Sequence, residues 1–291
     1  MRFDRRMFGP RMFDRHMRRK MVNYGFVGLT MAATAVAVIA LLLILWSLVV
    51  NGLGGISLGI FTMDQPPPEM PGGLRNAILG SLEMCAIGMV IAIVIGILSG
   101  TWLAEYGEGN KLAEVVRFLN DVLLSAPSIL IGLFVYELLV RPLHGFSAGA
   151  GAVALAFVAT PVVTRTTEDI LRLQSNQLRE AGMAMGAGKS YVIRAIIWRA
   201  SRPGLVTGAL LGFARISGET APLLFTSLGN PNLSFALTQP MGALPTTIYQ
   251  FALSAFDDWR ALAWVGALLI AITVLAANII GRALARGSHH S

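Results

Sequence analysis

Glu180 to Ser227 reads EAGMAMGAGKSYVIRAIIWRASRPGLVTGALLGFARISGETAPLLFTS, a polar, charged half leading directly into an apolar run that carries Arg215 and Glu219. A water-facing element and a membrane helix with intramembrane charges therefore sit side by side. Elsewhere charge is scarce. Only 13% of residues are charged, 55% are hydrophobic and the mean hydropathy is +0.65, against about 25% charged in an ordinary soluble domain. The apolar residues form blocks of about 20 rather than amphipathic stripes, which is the length that spans a bilayer. These observations define an all-α integral membrane protein, because only helices and closed barrels satisfy their backbone in lipid and these blocks are too long and too continuous for barrel strands.

Gaps between charged residues delimit six blocks. Met21 to Met63 holds no Asp, Glu, Lys or Arg, with its apolar centre at 24–50. Met84 to Ala104 lies between Glu83 and Glu105, with Arg75 to Leu82 extending the same helix. The third block, Arg117 to Val140, contains Pro127, which is expected to bend it. Gly149 to Thr164, Pro203 to Ser227 and Ala261 to Gly281 complete the set. The basic tail at 1–23 carries Arg2, Arg5, Arg6, Arg11, Arg15, Arg18, Arg19 and Lys20, and the connection from Arg165 to Arg202 carries seven more Lys and Arg, whereas Asn51 to Leu74 and Leu228 to Asp258 carry none. By the positive-inside rule both termini lie in the cytoplasm, as six spans require. The net charge of +7 is thus mostly cytoplasmic-side lysine and arginine, and the aromatic-interleaved basic patch of a nucleic-acid binder is missing.

Cys85 is the single cysteine, so disulfides and thiolate metal clusters are excluded and it reads as a small buried apolar residue. GSHHS at 287–291, with His289 and His290, reads as a tag remnant. GAGKS at Gly186 to Ser190 looks like the end of a phosphate-binding loop, but the glycine required five positions before Gly188 is Met183, and the preceding LQSNQLRE is no buried strand. The glycines have a mechanical reading instead. Gln177 to Ala184 is a short helix, Gly186 to Gly188 a hinge, and Ser190 to Trp198 a second helix, together a compact elbow.

At this point a resemblance becomes specific. Glu180, Ala181, Gly186 and Ala187, followed by Ile193 and Ile196, resemble the "EAA" coupling loop of ATP-binding-cassette importer permeases of type I; Trp198-Arg199 stands where that loop usually closes with Leu-Pro. ARISGETAPLLFTS at Ala214 to Ser227, SAPSILIGLFVYELLV at Ser125 to Val140, and ALPTTIYQFA at Ala243 to Ala252 followed by WRALAWVGALLI at Trp259 to Ile270 are similar to the permeases of phosphate importers. The similarity covers about 75–284. It implies a prokaryotic plasma-membrane subunit, half of a translocation pathway, working with a second permease subunit, an ATPase dimer and an extracytoplasmic phosphate-binding protein. It further implies that this chain has no catalytic site, metal or cofactor of its own, ATP and Mg being bound by the ATPase. Glu180, Ala181, Gly186, Ala187 and Lys189, in the loop at about 177–200, would engage that ATPase.

The intramembrane charges suit anion passage. Arg215 and Glu219 are four residues apart, so both are expected on one face of the fifth helix, within reach of each other. A charge inside a membrane helix costs about 2.5–3.5 kcal/mol on insertion scales and so faces a bundle interior or an aqueous cavity. Arginine donates two parallel hydrogen bonds to an oxyanion and stays charged. Glu219 would hold Arg215 when no anion is present, Thr220 would add a hydroxyl, and Arg165 would stand at the cytoplasmic exit. A permanent structural pair, Arg215 with Glu219, is the competing reading. Glu137 with Arg141 reads as a structural pair near the outer interface, and Asp257 and Asp258 as solvated loop charges. Permeases for sulfate or molybdate, and a secondary anion transporter, are the alternative functions.

Overall fold

A computed structural model of the chain describes residues 10–287. The first nine residues of the basic tail, and the tag-like end beyond Gly287 with His289 and His290, lie outside the described residues. All regular structure among the described residues is helical. The chain divides into two compact units at Val50 and Asn51. The first is formed by helix α1 (Pro10–Gly54) as far as Val50. Within it, Arg19–Gly54 is long and apolar enough to cross a membrane.

The second unit begins with a one-turn helix, α2 (Gly59–Thr62), and a long helix, α3 (Arg75–Tyr106). Next come α4 (Lys111–Ser125) and α5 (Ser128–Val135), the latter continuing as a π turn over Tyr136–Val140, and then α6 (Ala148–Arg172). The elbow follows as α7 (Asn176–Ala184), α8 (Lys189–Val192), a π turn Ile193–Ile197 and α9 (Trp198–Ala200). The chain then forms α10 (Arg202–Ile216), α11 (Ala221–Leu224), α12 (Leu244–Ala252) and α13 (Asp257–Gly287).

Among the described residues four helices are long and apolar enough to span a membrane, and a fifth span results if α4 and α5 cross as one. Two of the six expected blocks are therefore not continuous helices. The third turns by 107° between α4 and α5, far more than a proline bend. Pro127 imposes this on its predecessor, because its ring excludes the residue before it from helical space. Ala126 accordingly adopts φ −65° and ψ 136°, and Pro127 itself ψ 130°, so two extended residues separate the halves. The fifth block stops at Ile216 and resumes for one turn at Ala221. Pro222 has no N–H for the Gly218 carbonyl and its ring would collide with that carbonyl in a continuous helix, so the chain opens at Ser217 to Thr220.

Glycine determines how closely the long helices meet. A Cβ at Gly88, Gly96 or Gly100 of α3 would lie 2.9 Å from the Ala152 oxygen, 2.7 Å from Val163 Cβ and 2.6 Å from the Thr164 oxygen of α6. With Ala92, which is fully buried, these residues form a four-residue repeat, the small-residue seam that lets membrane helices approach backbone to backbone. Contacts advance along both helices together, so α3 and α6 run in the same direction. A second seam joins α6 to α10. Gly204, Gly208 and Gly212 meet Ile170, Thr166 and Val163, and here the helices run in opposite directions.

Backbone groups at the start of α6 find partners within the second unit, as the bilayer requires. The N–H groups of Ser147, Ala148 and Gly149, at the start of α6, donate to the carbonyls of Thr226, Gln239 and Leu237 at 2.9, 2.9 and 2.8 Å. The same end is laced by side chains. Asp64 accepts from Arg75 Nε at 2.9 Å and from the Leu233 N–H at 3.0 Å. Asn76 Nδ2 donates to the Asn230 carbonyl at 2.6 Å. Asp257 and Asp258 are not loop charges. They open α13, where carboxylates suit the helix dipole; Asp257 pairs with Arg260, and Asp258 accepts from the N–H of Glu69, which has φ 61°. Glu137 and Arg141 form the anticipated pair at 2.6 Å.

Two outcomes follow. Gly96→Leu, by wedging a side chain into the first seam, is expected to destabilise the purified protein by about 1–3 kcal/mol, the usual cost of overpacking; an unshifted melting temperature in detergent contradicts the close approach. Hydrogen bonding and attraction from Arg75, with the Leu233 N–H, hold Asp64 below the ordinary carboxylate range despite partial burial. Its stabilising contribution is therefore complete above the unfolded carboxylate range, near pH 4, and is lost as pH falls through the lower folded value. Asp64→Asn is expected to lower the melting temperature at neutral pH and to narrow the gap from the parent as the pH is taken below 4; an equal gap at all pH values contradicts this role.

Candidate functional site

The elbow is built much as its sequence dictates. Ser175 caps α7, its side chain accepting from the Leu178 N–H at 3.4 Å, and the helix ends where Gly186 takes φ +82°, a left-handed conformation that glycine adopts without strain. Gly182 is buried, and a Cβ there would lie 2.9 Å from Ile196 Cδ1, so α7 folds back tightly onto the π turn. Val192, Ile197 and Leu171 form the small core of this end, with Ala187, Ile196 and Trp198 packed against it.

Charged groups that sequence reasoning did not single out fasten the elbow to the end of α3. Arg179 Nη2 and Glu105 Oε1 are 2.7 Å apart, with the two side chains 17% and 3% exposed. Arg179 also donates to the carbonyls of Leu171 and Gln174, at 2.7 and 2.6 Å. Trp198 Nε1 donates to Thr101 Oγ1 at 3.1 Å. Beside this, Glu168 of α6 is buried between Arg117 of α4, at 2.7 Å, and Arg172, at 2.8 Å. The available signal was positional. Glu105, Arg117 and Glu168 stand where charge resumes at the ends of apolar blocks.

Among the coupling residues, Glu180 and Ala181 lie on the exposed side of α7, and Glu180 makes no hydrogen bond or ion pair among the described residues. Lys189 differs. Its Nζ donates to the Glu105 carbonyl at 2.6 Å and lies 4.1 Å from the centre of the Tyr106 ring. This lysine of the GAGKS stretch therefore ties the elbow to α3, and its neighbour Ala187 is partly buried in the elbow core.

The helix break separates Arg215 from Glu219. Arg215 occupies the last turn of α10 with its side chain exposed, while Glu219 lies past Ser217 and Gly218 in the opened segment. The expected pair does not form, and among the described residues neither side chain has an ion-pair or hydrogen-bond partner. Residues four apart stack only on a continuous helix, and α10 ends at Ile216. Thr220 immediately precedes α11, with φ −106° and no capping bond. Arg165 is not free. It lies 3.3 Å from Asp169 and 3.7 Å from Asp121.

Both breaks support each other. A Cβ on Gly132 of α5 would lie 2.7 Å from the Cα of Pro222, so the second half of the third block packs directly on α11. An uncompensated arginine is thus presented at the open end of a half-helix, on the antiparallel neighbour of α6, with the elbow at the other end of the same helix. The elbow and Arg215 are thus joined by one helix, α10.

Residues 92–290 match the family described as "Binding-protein-dependent transport system inner membrane component". The chain belongs to that family and is an inner-membrane protein. Within the family it belongs with the PstA permeases. It is 48% identical over 264 residues to "Phosphate transport system permease protein PstA" of Haemophilus influenzae, covering 91% of this chain and 94% of that one. The Yersinia pestis protein of the same name is 48% identical over 273 residues, 94% of this chain and 92% of that one. A "Probable phosphate transport system permease protein PstA" of Methanocaldococcus jannaschii is 33% identical, over 86% of this chain and 89% of that one. The permease of the MetNI methionine ABC transporter, in inward-facing conformations, has the same fold, with a TM-score of 0.61 at 21% identity over 73% of this chain and 96% of that chain.

Removing the Glu105 charge leaves the partly buried Arg179 without its counter-charge, which destabilises the docked elbow. Glu105→Gln is therefore expected to speed amide exchange across residues 176–200 while leaving α6 and α10 protected; unchanged exchange in the elbow contradicts the anchoring role.

Proposed function

We propose that this chain is one of two channel-forming halves of an ATP-driven inorganic phosphate importer. The observation that carries the reading is the unpaired, exposed Arg215 at the open end of α10, in a chain with PstA relatives along nearly its whole length. Its partners would be a second, PstC-like permease subunit, a PstB-like ATPase dimer and a PstS-like extracytoplasmic phosphate-binding protein. The elbow and both termini would face the cytoplasm, in keeping with the excess of Lys and Arg at that end. ATP and Mg would be bound and turned over by the ATPase, this chain contributing no catalytic group and no metal ligand.

The geometry supports a division of labour. Glu180 and Ala181, exposed on α7, would seat the elbow in the ATPase, with Gly186 supplying the turn. Arg179, Lys189 and Trp198 transmit the elbow's position to α3. From Arg202 the chain runs as one helix to Arg215, where a passing phosphate would exchange part of its hydration for guanidinium hydrogen bonds. Glu219 and Thr220, in the opened segment, would border the route, with Glu219 repelling an anion that lingers. Arg165, held between Asp121 and Asp169, sets the field at the inner end without being the anion's principal ligand.

Reconstituted vesicles containing the whole transporter test this. Arg215→Gln is expected to lower labelled phosphate uptake about ten- to hundredfold, since a hydrogen bond to a charged group contributes about 1.5–3 kcal/mol, while subunit assembly persists. Uptake at the parent rate removes Arg215 from the route, and transport of sulfate in place of phosphate by the parent complex overturns the substrate. Gly186→Val forces a β-branched residue into the left-handed region, so phosphate moved per ATP is expected to fall; an unchanged ratio contradicts a mechanical role for this turn.

A further inference from the structure

At the end of the second unit opposite the elbow, the chain turns sharply at Leu228 and Gly229, with φ 61° and 126°. A leucine is strained in that conformation, and such strain persists only where the surroundings hold it. Here they do. Leu228 donates its N–H to the Leu223 carbonyl at 3.0 Å. The Asn230 carbonyl accepts from Asn76 Nδ2 at 2.6 Å, while Asn230 Nδ2 donates to the Pro240 carbonyl at 3.2 Å. This fixed turn walls a cavity of about 320 Å³, lined on its other sides by Gln65, Thr247 and Gln250 and by Phe251 and Trp259, whose rings stack at 4.5 Å. A single turn of helix, α11, separates the turn from the opened segment beyond Arg215.

The lining has more donors than the chain uses. Gln65 Nε2 donates to Thr247 Oγ1, which engages one of its two amide hydrogens and leaves the Thr247 hydroxyl hydrogen without an acceptor among the described residues. Gln250 is exposed and makes no hydrogen bond among the described residues. None of the lining residues is charged. The carboxylates of this end are engaged elsewhere, Asp64 with Arg75 and the Leu233 N–H, Asp257 with Arg260, and Asp258 with the Glu69 N–H. A cation would therefore meet no counter-charge in the cavity. An apolar occupant would leave the donors of Gln65, Thr247 and Gln250 unpaired, which costs desolvation with no return. A ligand rich in acceptor oxygens fits. Since a water takes about 30 Å³ of liquid volume, a tetrahedral oxyanion enters with part of its hydration.

Resting on the phosphate-importer reading, we propose that this cavity is a waiting site for inorganic phosphate, ahead of Arg215 on the route. Its neutral amides and hydroxyl replace some of the hydrogen bonds of water without gripping the ion as a fixed cation would, and a site on a conduction path must bind weakly enough to release. Gln65, Thr247 and Gln250 are the residues that hold the ion there.

Thiol protection tests the site in vesicles holding both permease subunits and the ATPase, before the phosphate-binding protein is added. Leu228→Cys puts a thiol in the wall at a position that is 45% exposed, without removing any of the three donors, and the native Cys85 is buried. With phosphate at about ten times its dissociation constant, a membrane-impermeant thiosulfonate is expected to label this thiol about tenfold more slowly than in chloride of equal ionic strength, as simple occupancy dictates. Adding Gln250→Leu, which breaks no bond within the chain, is expected to raise the phosphate concentration for half protection about two- to tenfold, the share of one hydrogen bond. Equal labelling in phosphate and chloride overturns the site, and so does a half-protection concentration that Gln250→Leu leaves unmoved. Protection that follows phosphatidylglycerol in the vesicles rather than added phosphate assigns the cavity to a lipid headgroup and overturns the proposal. Protection only when the phosphate-binding protein is added, with or without phosphate, assigns it to that protein and also overturns it. Uptake of labelled phosphate by the parent complex reads the importer separately: uptake without protection overturns the waiting site alone, and protection without uptake overturns the importer while the site stands.

Discussion

Close backbone packing of α6 against α3 on one side and α10 on the other is the constraint on which the remaining structure depends. Within a bilayer there is no hydrophobic drive to bring helices together, because lipid tails are as apolar as leucine, and dispersion contacts between closely approaching backbones take its place. Gly88, Gly96 and Gly100 open one side of that contact, and Gly204, Gly208 and Gly212 open the other. Val163 touches both seams, since it meets Gly96 and Gly212. The elbow joins the end of α6 to the start of α10 and is bonded to the end of α3 through Arg179 and Lys189. A force on the elbow therefore acts on three helices already locked together.

The broken helices complete that arrangement. Proline interrupts the third and fifth blocks, and each interruption frees backbone groups that hydrocarbon cannot satisfy. Some of these groups bond locally, the N–H groups of Leu130 and Glu219 donating to the carbonyls of Pro127 and Ile216, and Gly132 lets α5 lie directly on Pro222. Arg215 gains its exposed position from the same break. On a continuous helix Glu219 would stack on Arg215; with the chain opened after Ile216, the guanidinium has no ion-pair partner among the described residues.

Much of this was legible in the sequence, for identifiable reasons. Spanning length and sparse charge located the apolar blocks, and Gly186 between two short helical patterns marked the elbow, where the structure has φ +82°. The same reasoning failed where proline acts over more than its own turn. Spacing alone makes Pro127 a bend, where the structure has a 107° break, and it runs the fifth block through Pro222, where the helix stops at Ile216. The Arg215 and Glu219 pairing failed with it, because spacing predicts proximity only while the helix lasts. The pairing of Glu105 with Arg179, and of Glu168 with Arg117, is not legible for another reason. The partners are 74 and 51 residues apart in sequence, and only the docking of elbow on α3 and of α4 on α6 brings them together.

If the glycine seams lock α3, α6, α10 and the elbow into one body, that body should move without internal change when the transporter turns over. Spin labels at the exposed positions Tyr191 in the elbow, Leu211 in α10 and Leu82 in α3 measure this by pulsed dipolar spectroscopy in the reconstituted complex, with and without ATP. The account predicts that all three distances within the chain keep their values through the cycle while distances to the second permease subunit shift. A change between Tyr191 and Leu211 as large as the shift between subunits would contradict it, since the elbow would then move apart from the helix that carries Arg215.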